Sequence, residues 1–324
     1  MRRREFVLLM GSVAVDASAA AYGQQSAKLP MVGFLVAGTR ASHGAWVQAF
    51  AQRLFELGWT DGRNVKIEYR WAAGDVRQTT QFAAELVQRR VDVIVTSAFG
   101  VVAAKQATST IPIVSAAYGD VVANGIVKSL ARPDGNVTGL TIQPAELSSK
   151  RLELLRDIIP NVHRLAALVN THVVAAQEVV AIRTASAKLN IDANVLDIQT
   201  AEDIEAAMAT LAGQTDALYV YSEPLTNANK EKIIEAANAA KIPTIFGFRE
   251  FVAAGGLISY GPSFIDLFAR AAEFTDKILR GAKPADLPVQ QPVKFDLIIN
   301  LKAAKALGLS ISETVLTRAD EVIE

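Results

Sequence analysis

Residues 91–117 read VDVIVTSAFGVVAAKQATSTIPIVSAA. Two mainly apolar segments, 91–96 and 111–115, read as strands and flank a small-residue segment at 100–107 that reads as a helix. A strand without alternation is buried on both faces, the habit of a parallel sheet, and such strands are joined by helical crossovers. Towards the N-terminus the same unit recurs. A strand is expected at 31–37 and a helix at 45–57, with Trp46, Phe50, Leu54 and Leu57 on one face and Gly58 as its stop. Asp61-Gly62 turns the chain into a strand at 65–70, followed by a helix at 79–89 that carries Phe82 and Leu86 inward. Strand and helix alternate, so the sheet is parallel with helices on both faces.

Towards the C-terminus a second series begins after Thr141. Helix is expected at 148–158 (ended by Pro160), 174–189, 201–211 and 229–240, and strand at 165–169, 193–198, 216–221, 243–246 and 257–260. Two similar α/β runs imply two similar lobes. A long helix at 263–279, an extended proline-rich segment at 284–292, a strand at 294–300 and a helix at 301–307 are too few for a third domain. They are expected to complete the first two.

The 324 residues suffice for two domains, with 51% apolar and 20% charged residues as in ordinary globular chains. Lysine plus arginine equals aspartate plus glutamate, 33 against 33, so nothing in the charge asks for nucleic acid or an anionic surface. The chain has no cysteine, which excludes disulfides and thiolate chemistry, and its three histidines are scattered. Arg2, Arg3 and Arg4, an apolar stretch at 6–15 and small residues at 17–21 make an export leader, cut after Gly23 or after Ala21. Arg3-Arg4 also suits twin-arginine export. Without a lipid-accepting cysteine, a protein free in the periplasm is expected.

The runs IPIVSAAYGDVVANGIVKSLARPDGNVTGL (111–140), GFREFVAAGGLISYGPSFIDLFARAAEFTDKILRGAKPADLP (247–288) and KFDLIINLKAAKALGL (294–309) closely resemble the ABC-transporter substrate-binding family that includes tryptophan-binding receptors. The resemblance extends over nearly the whole chain, to the ending RADEVIE. It implies the type I periplasmic binding fold: two doubly wound parallel-sheet lobes joined by three crossovers, here near Thr141, Pro262 and Pro292, with the ligand between them. The lobes would be residues 24–141 plus 263–291 and residues 142–262 plus 292–324, after a leader at 1–23. This chain departs from the family's habit at three strand ends, with Asp120-Val121, Asn170-Thr171-His172 and Ser222-Glu223-Pro224.

In open α/β sheets ligands lie beyond the carboxyl ends of the strands. That rule selects Thr39, Ser42, Ser97, Ala98, Phe99, Tyr118 and Asp120 in the first lobe, and Asn170, Thr171, Glu223 and Phe248 in the second. Ser97 is expected to cap the following helix, whose free N–H groups suit a carboxylate; Thr39 and Ser42 hold the equivalent place on the first helix. Asp120 either accepts from a ligand ammonium or caps a helix at 121–130. Glu223 is either a second acidic contact or a solvated loop charge. Asn170 and Thr171 offer neutral hydrogen bonds. Tyr118, Phe99 and Phe248 offer flat faces or pack in the core. Trp46 reads as core, His43 and His172 as surface residues. Arg249 pairs with a ligand carboxylate, with Glu250, or across the lobes.

The expected function is that of a periplasmic receptor of an ABC importer. It would take a small solute, an amino acid or related carboxylate with aromatic ones among the candidates, and close about a hinge. Its partners would be that solute and an inner-membrane permease, with no nucleic acid, no cofactor and a monomeric state. A ligand sensor for a membrane kinase or chemoreceptor is the alternative. An enzyme is not expected: the first strand leads into GFLVAGTR rather than a glycine-rich dinucleotide loop, and Walker, nucleophile-elbow and histidine-pair patterns are missing. A regulator of the lactose-repressor type would need a helix-turn-helix where the leader stands.

Overall fold

A computed structural model describes residues 29–142, 144–171 and 176–324. The leader at 1–23, the five residues after it, His172 and the start of the helix expected at 174 lie outside the described residues.

The first sheet is built from β1 (Met31–Val36), β2 (Lys66–Trp71), β3 (Val93–Ser97), β4 (Ile113–Ala117) and β5 (Val137–Gly139) in the order β2-β1-β3-β4-β5, all parallel. α1 (Arg40–Glu56), α2 (Val76–Gln88) and α3 (Phe99–Ala107) connect them. Local chemistry sets the helix starts. Thr39 and Ser42 form a reciprocal capping box on α1, and the Asp75 carboxylate accepts from the N–H groups of Arg77 and Gln78 on α2. α3 sits close against β3 because Gly100 has no side chain; a Cβ there would stand 2.0 Å from Thr96 Oγ1.

The chain then passes to the second lobe. α4 (Pro144–Ile158), β6 (Arg164–Val169), α5 (Ala176–Lys188), β7 (Asp192–Asp197), α6 (Ala201–Thr210), β8 (Ala217–Val220), α7 (Pro224–Ala228), α8 (Lys230–Ala239), β9 (Thr244–Phe246), α9 (Arg249–Ala253) and β10 (Ile258–Pro262) follow. α10 (Phe264–Leu279) crosses back and packs on α1 and on β3, β4 and β5. After a 3-10 turn at Pro284–Asp286 the chain returns to add β11 (Phe295–Asn300), α11 (Leu301–Ala306), α12 (Glu313–Leu316) and β12 (Glu321–Ile323). The second sheet runs β12-β11-β10-β9-β8-β6-β7. It departs from an all-parallel sheet at one place, the antiparallel pair β10–β11.

Each sheet is covered on both faces. On the first, Phe34, Phe50, Leu54, Leu267 and Phe268 fill the side under α1 and α10, while Leu35, Leu86, Ile94 and Val101 fill the side under α2 and α3. On the second, Leu152, Leu155, Ile182 and Tyr219 lie on one side, with Ile204, Ile233, Phe246 and Phe251 on the other. Each such fully buried Leu, Ile or Phe contributes about 1.5–3 kcal/mol over an exposed one. The three inter-lobe passages run side by side. Leu140 bridges Gln290, the Thr141 N–H donates to Gln290 O at 3.0 Å, and the Ser263 N–H donates to Lys294 O at 3.0 Å.

The expected helix at 121–130 is a run of turns instead. Asp120 Oδ1 accepts from the N–H groups of Val122 and Ala123, both at 2.9 Å, and Gly125 at φ 64° breaks the helical path. Asp120 therefore caps a turn, not a helix.

Candidate functional site

Strand order places the site. In the first sheet the order reverses between β1 and β3, and in the second between β6 and β8. Ligand crevices of open α/β sheets open at such reversals, beyond the strand carboxyl ends. Thr39–His43 and Ser97–Phe99 flank the first; Asn170–Thr171 and Tyr221–Glu223 flank the second.

In the first lobe, the side chains of Thr39 and Ser42 are exposed and hydrogen-bonded to each other's backbone N–H, at 3.1 and 3.2 Å. The next residue, His43, is not the surface histidine expected from the sequence. Its ring stands against Gly38, accepts or donates one hydrogen bond at Nδ1 with Ser42 Oγ (2.9 Å), and packs 4.4 Å from the Trp46 ring. Burial pushes its pKa down to about 4, so the imidazole is neutral at neutral pH.

Ser97 ends β3 at a shift of register between Thr96 and Ser97, and it does not cap α3. The N-cap is Ala98, which makes no side-chain cap bond. Ala98 holds φ 49°, a left-handed backbone that costs a non-glycine residue about 1–3 kcal/mol. Its N–H is fixed to Ala117 O at 2.8 Å. Phe99 and Tyr118 pack against the core on the α2–α3 side of the sheet, and burial raises the Tyr118 hydroxyl pKa. The loop after β4 is tied to the first crossover, for the Ile142 N–H donates to Tyr118 O and the Thr141 hydroxyl to Gly119 O.

In the second lobe, Asn170 follows β6 at 7% exposure, and Thr171 donates its hydroxyl and its N–H to Asp197 Oδ1 at 2.8 and 2.9 Å. Glu223 is not a solvated loop charge. It is 7% exposed and caps α7, accepting from the N–H groups of Leu225 (3.0 Å) and Thr226 (2.9 Å). Burial raises its pKa, against those two hydrogen bonds that lower it. Burial also raises the pKa of the neighbouring Tyr221, with Glu178 as second cause, and that of Glu250. Arg249 is committed elsewhere, in a two-pronged ion pair with Glu321.

One chain of rings joins the two sets of strand ends. Phe248, after β9, meets Phe264 edge-on at 4.8 Å; Phe264, the first residue of α10, stacks on Trp46 at 4.4 Å; and Trp46 meets His43. Trp46 thus packs on its core side against Phe268 and on the other against residues of the cleft. Residues that the strand-end rule did not select also stand here. Trp71 ends β2 half-buried, with the Arg40 guanidinium 5.5 Å from its ring centre. Arg151 lies under β8 and β9, donating to Tyr219 and Tyr260. A charged residue at a buried helical position was the only signal for Arg151. Two shallow depressions of about 350 and 290 Å³ lie away from both reversals, one beside Tyr260, Phe295 and Arg318 and one between α6 and α8. Among the described residues no group of His, Cys, Asp and Glu could hold a metal, and no helix is long and apolar enough to cross a membrane.

Two doubly wound lobes, three adjacent passages between them and strand ends that meet through shared rings define a ligand receptor of the type I periplasmic binding fold. A family profile described as ABC transporter substrate binding protein matches residues 35–323, and the chain belongs to that family. It is 31% identical over 264 residues to a tyrosine-binding protein of Clostridioides difficile (strain R20291), covering 81% of this chain and 76% of the relative. A solved Streptococcus pneumoniae domain in complex with L-Trp superposes with TM-score 0.83 at 26% identity, covering 91% of this chain and all of that one. A ligand-free, open substrate-binding protein with adhesive properties from Clostridium difficile superposes with TM-score 0.73 at 27% identity, covering 91% and 99%.

Proposed function

We propose that this chain is the periplasmic receptor of an ABC importer, that it binds an aromatic amino acid between its lobes, and that it hands the ligand to an inner-membrane permease without chemical conversion. The observation that carries the reading is the pairing of family membership with two relatives described by tyrosine and L-Trp. The cleft chemistry agrees with such a ligand. It offers half-buried rings at Tyr118, Phe99, Phe248 and Trp71, hydroxyls at Thr39, Ser42, Ser97 and Thr171, the α3 N-terminus at Ala98, the Asn170 amide and the acid of Asp120, with Glu223 buried beside them in its cap on α7. We take the lobes to be residues 24–141 plus 263–291 and 142–262 plus 292–324.

Transport needs closure, and a ligand favours closure only if it touches both lobes. Micromolar affinity corresponds to about 8 kcal/mol, within reach of a stacked ring and a few charge-assisted hydrogen bonds. The test is a thermal-shift screen of residues 24–324 against amino acids, aromatic acids, purines and sugars. A rise in Tm with tyrosine or tryptophan supports the reading. A rise with a sugar alone, and none with any amino acid, refutes the ligand class.

A further inference from the structure

We propose that Arg151 is the carboxylate receptor of the second lobe, taking the ligand's carboxylate at the carboxyl ends of β8 and β9. This rests on the amino-acid reading above and adds the residue and the lobe that hold the anion.

Arg151 sits on the inward face of α4 with Leu147, Ser148, Leu152, Leu155 and Ile158, all buried. It is 4% exposed. Its Nε donates to Tyr260 O at 2.7 Å and its Nη1 to the Tyr219 hydroxyl at 2.9 Å; that hydroxyl is also 3.3 Å from Ser148 Oγ. Both acceptors are neutral. Arg151 takes part in none of the ion pairs among the described residues. The nearest strand-end acid, Glu223, spends its carboxylate on α7. Glu178, Glu223 and Arg151 all act electrostatically on the neighbouring Tyr221. Buried charges are ordinarily paired, because an isolated one is costly to desolvate.

A guanidinium has five N–H donors in a planar fork, and these two bonds use one from Nε and one from Nη1. One donor on Nη1 and two on Nη2 remain, and a planar guanidinium can grip a carboxylate with two parallel bonds. The Arg151 fork and the Ser222 hydroxyl both lie against Gly247, which must be glycine for them to do so: a Cβ there would stand 2.9 Å from Arg151 Nη2 and 3.1 Å from Ser222 Oγ. Ser222 Oγ already accepts from the Gly247 N–H at 3.0 Å and keeps its own proton to donate. Gly261 is constrained in the same place, with Gly247 O 2.0 Å from where its Cβ would be. A cation, a hydroxyl and two glycines therefore meet one residue beyond β9, where the fold puts ligands. An anion bound there ties the ligand to the second lobe, one of the two it must touch to favour closure.

The test compares L-tyrosine with L-tyrosinamide, which keeps the ammonium and the ring and lacks the carboxylate, by calorimetric titration of wild type and Arg151→Met. Wild type is expected to favour the acid at least 100-fold. In Arg151→Met the preference falls to within threefold, through loss of acid affinity and not of amide affinity. If Arg151 only braces α4 against β8 and β10, both ligands weaken together, the ratio stays, and the proposal fails. Where Arg151→Met does not fold, Arg151→Lys keeps the charge without the fork and is expected to lose about tenfold of the preference. Gly247→Ala, which fills the spot beside Nη2, is expected to weaken the acid at least tenfold; unchanged acid affinity there overturns the proposal. Failure of wild type to bind either compound overturns the amino-acid reading and this proposal with it.

Discussion

His43 makes the first lobe acid-sensitive by a calculable amount. Its pKa falls from 6.5 to about 4 because the ring is desolvated between Gly38 and Trp46. The unfolded chain therefore binds a proton in a range where the native one does not. Nothing is lost above the unfolded pKa of 6.5; the penalty grows as pH falls and is complete below about 4. Taking the two values at face value, stability drops by roughly 2 kcal/mol between pH 7 and pH 5 and by about 3.4 kcal/mol in all. The ring keeps some contact with solvent, so these are upper figures. The assay is urea unfolding at pH 7 and pH 5, for wild type and His43→Gln, followed by tryptophan fluorescence. All three tryptophans, Trp46, Trp59 and Trp71, stand in the first lobe and report it alone. Wild type should lose about 2 kcal/mol more than His43→Gln over that interval. Equal losses in the two proteins would refute the argument that burial holds the imidazole neutral.

Four further outcomes are expected. Asp216, held at a pKa of about 2 mainly by the Arg164 guanidinium, contributes stability that is present above its unfolded pKa of 3.8 and lost as pH falls towards 2; the pair is partly exposed, so Asp216→Asn should cost only about 1 kcal/mol at pH 7 and flatten the acid limb of a stability–pH curve. Ala98→Gly relieves the left-handed backbone and should gain about 1 kcal/mol in urea unfolding, since relief of about 1–3 kcal/mol outweighs the added chain entropy of glycine. Tyr219→Phe removes the acceptor of Arg151 Nη1 and should cost about 1.5–3 kcal/mol, read as a lower urea midpoint of the second lobe. Ser97→Ala and Asp120→Ala should weaken ligand binding in calorimetry without lowering Tm by more than a few degrees; wild-type affinity in both would misplace the cleft.

The strand and helix rhythm was legible because buried parallel strands such as VIVTS at 93–97 are apolar without alternation over most of their length. The direction of β11 was not, because FDLIIN carries the same pattern whether it pairs parallel or antiparallel. β5 and β12 are three residues each, too short for any period to register, and α7 and α9 are single short turns after strand ends. The run 121–130 has helical apolar spacing, yet Asp120 and Gly125 divert it into turns, a backbone preference that outweighs periodicity. Strand ends located the candidate residues because ligand placement in this architecture follows topology. Their environments were hidden. Glu223 looked like a loop charge because Pro224 follows it, and its burial comes from packing that no neighbour in sequence announces. Arg151 follows Lys150 in a helix rich in charge, and only the folded α4 turns one of the two inward.

The central claim is that an aromatic amino acid binds between the lobes. Isothermal titration of residues 24–324 with L-tyrosine and L-tryptophan tests it most directly. One equivalent bound at micromolar Kd, with a negative heat-capacity change from apolar burial, is the predicted result. No binding heat with either compound at several temperatures, together with saturable binding of a sugar or a carboxylate without an amino group, would contradict it.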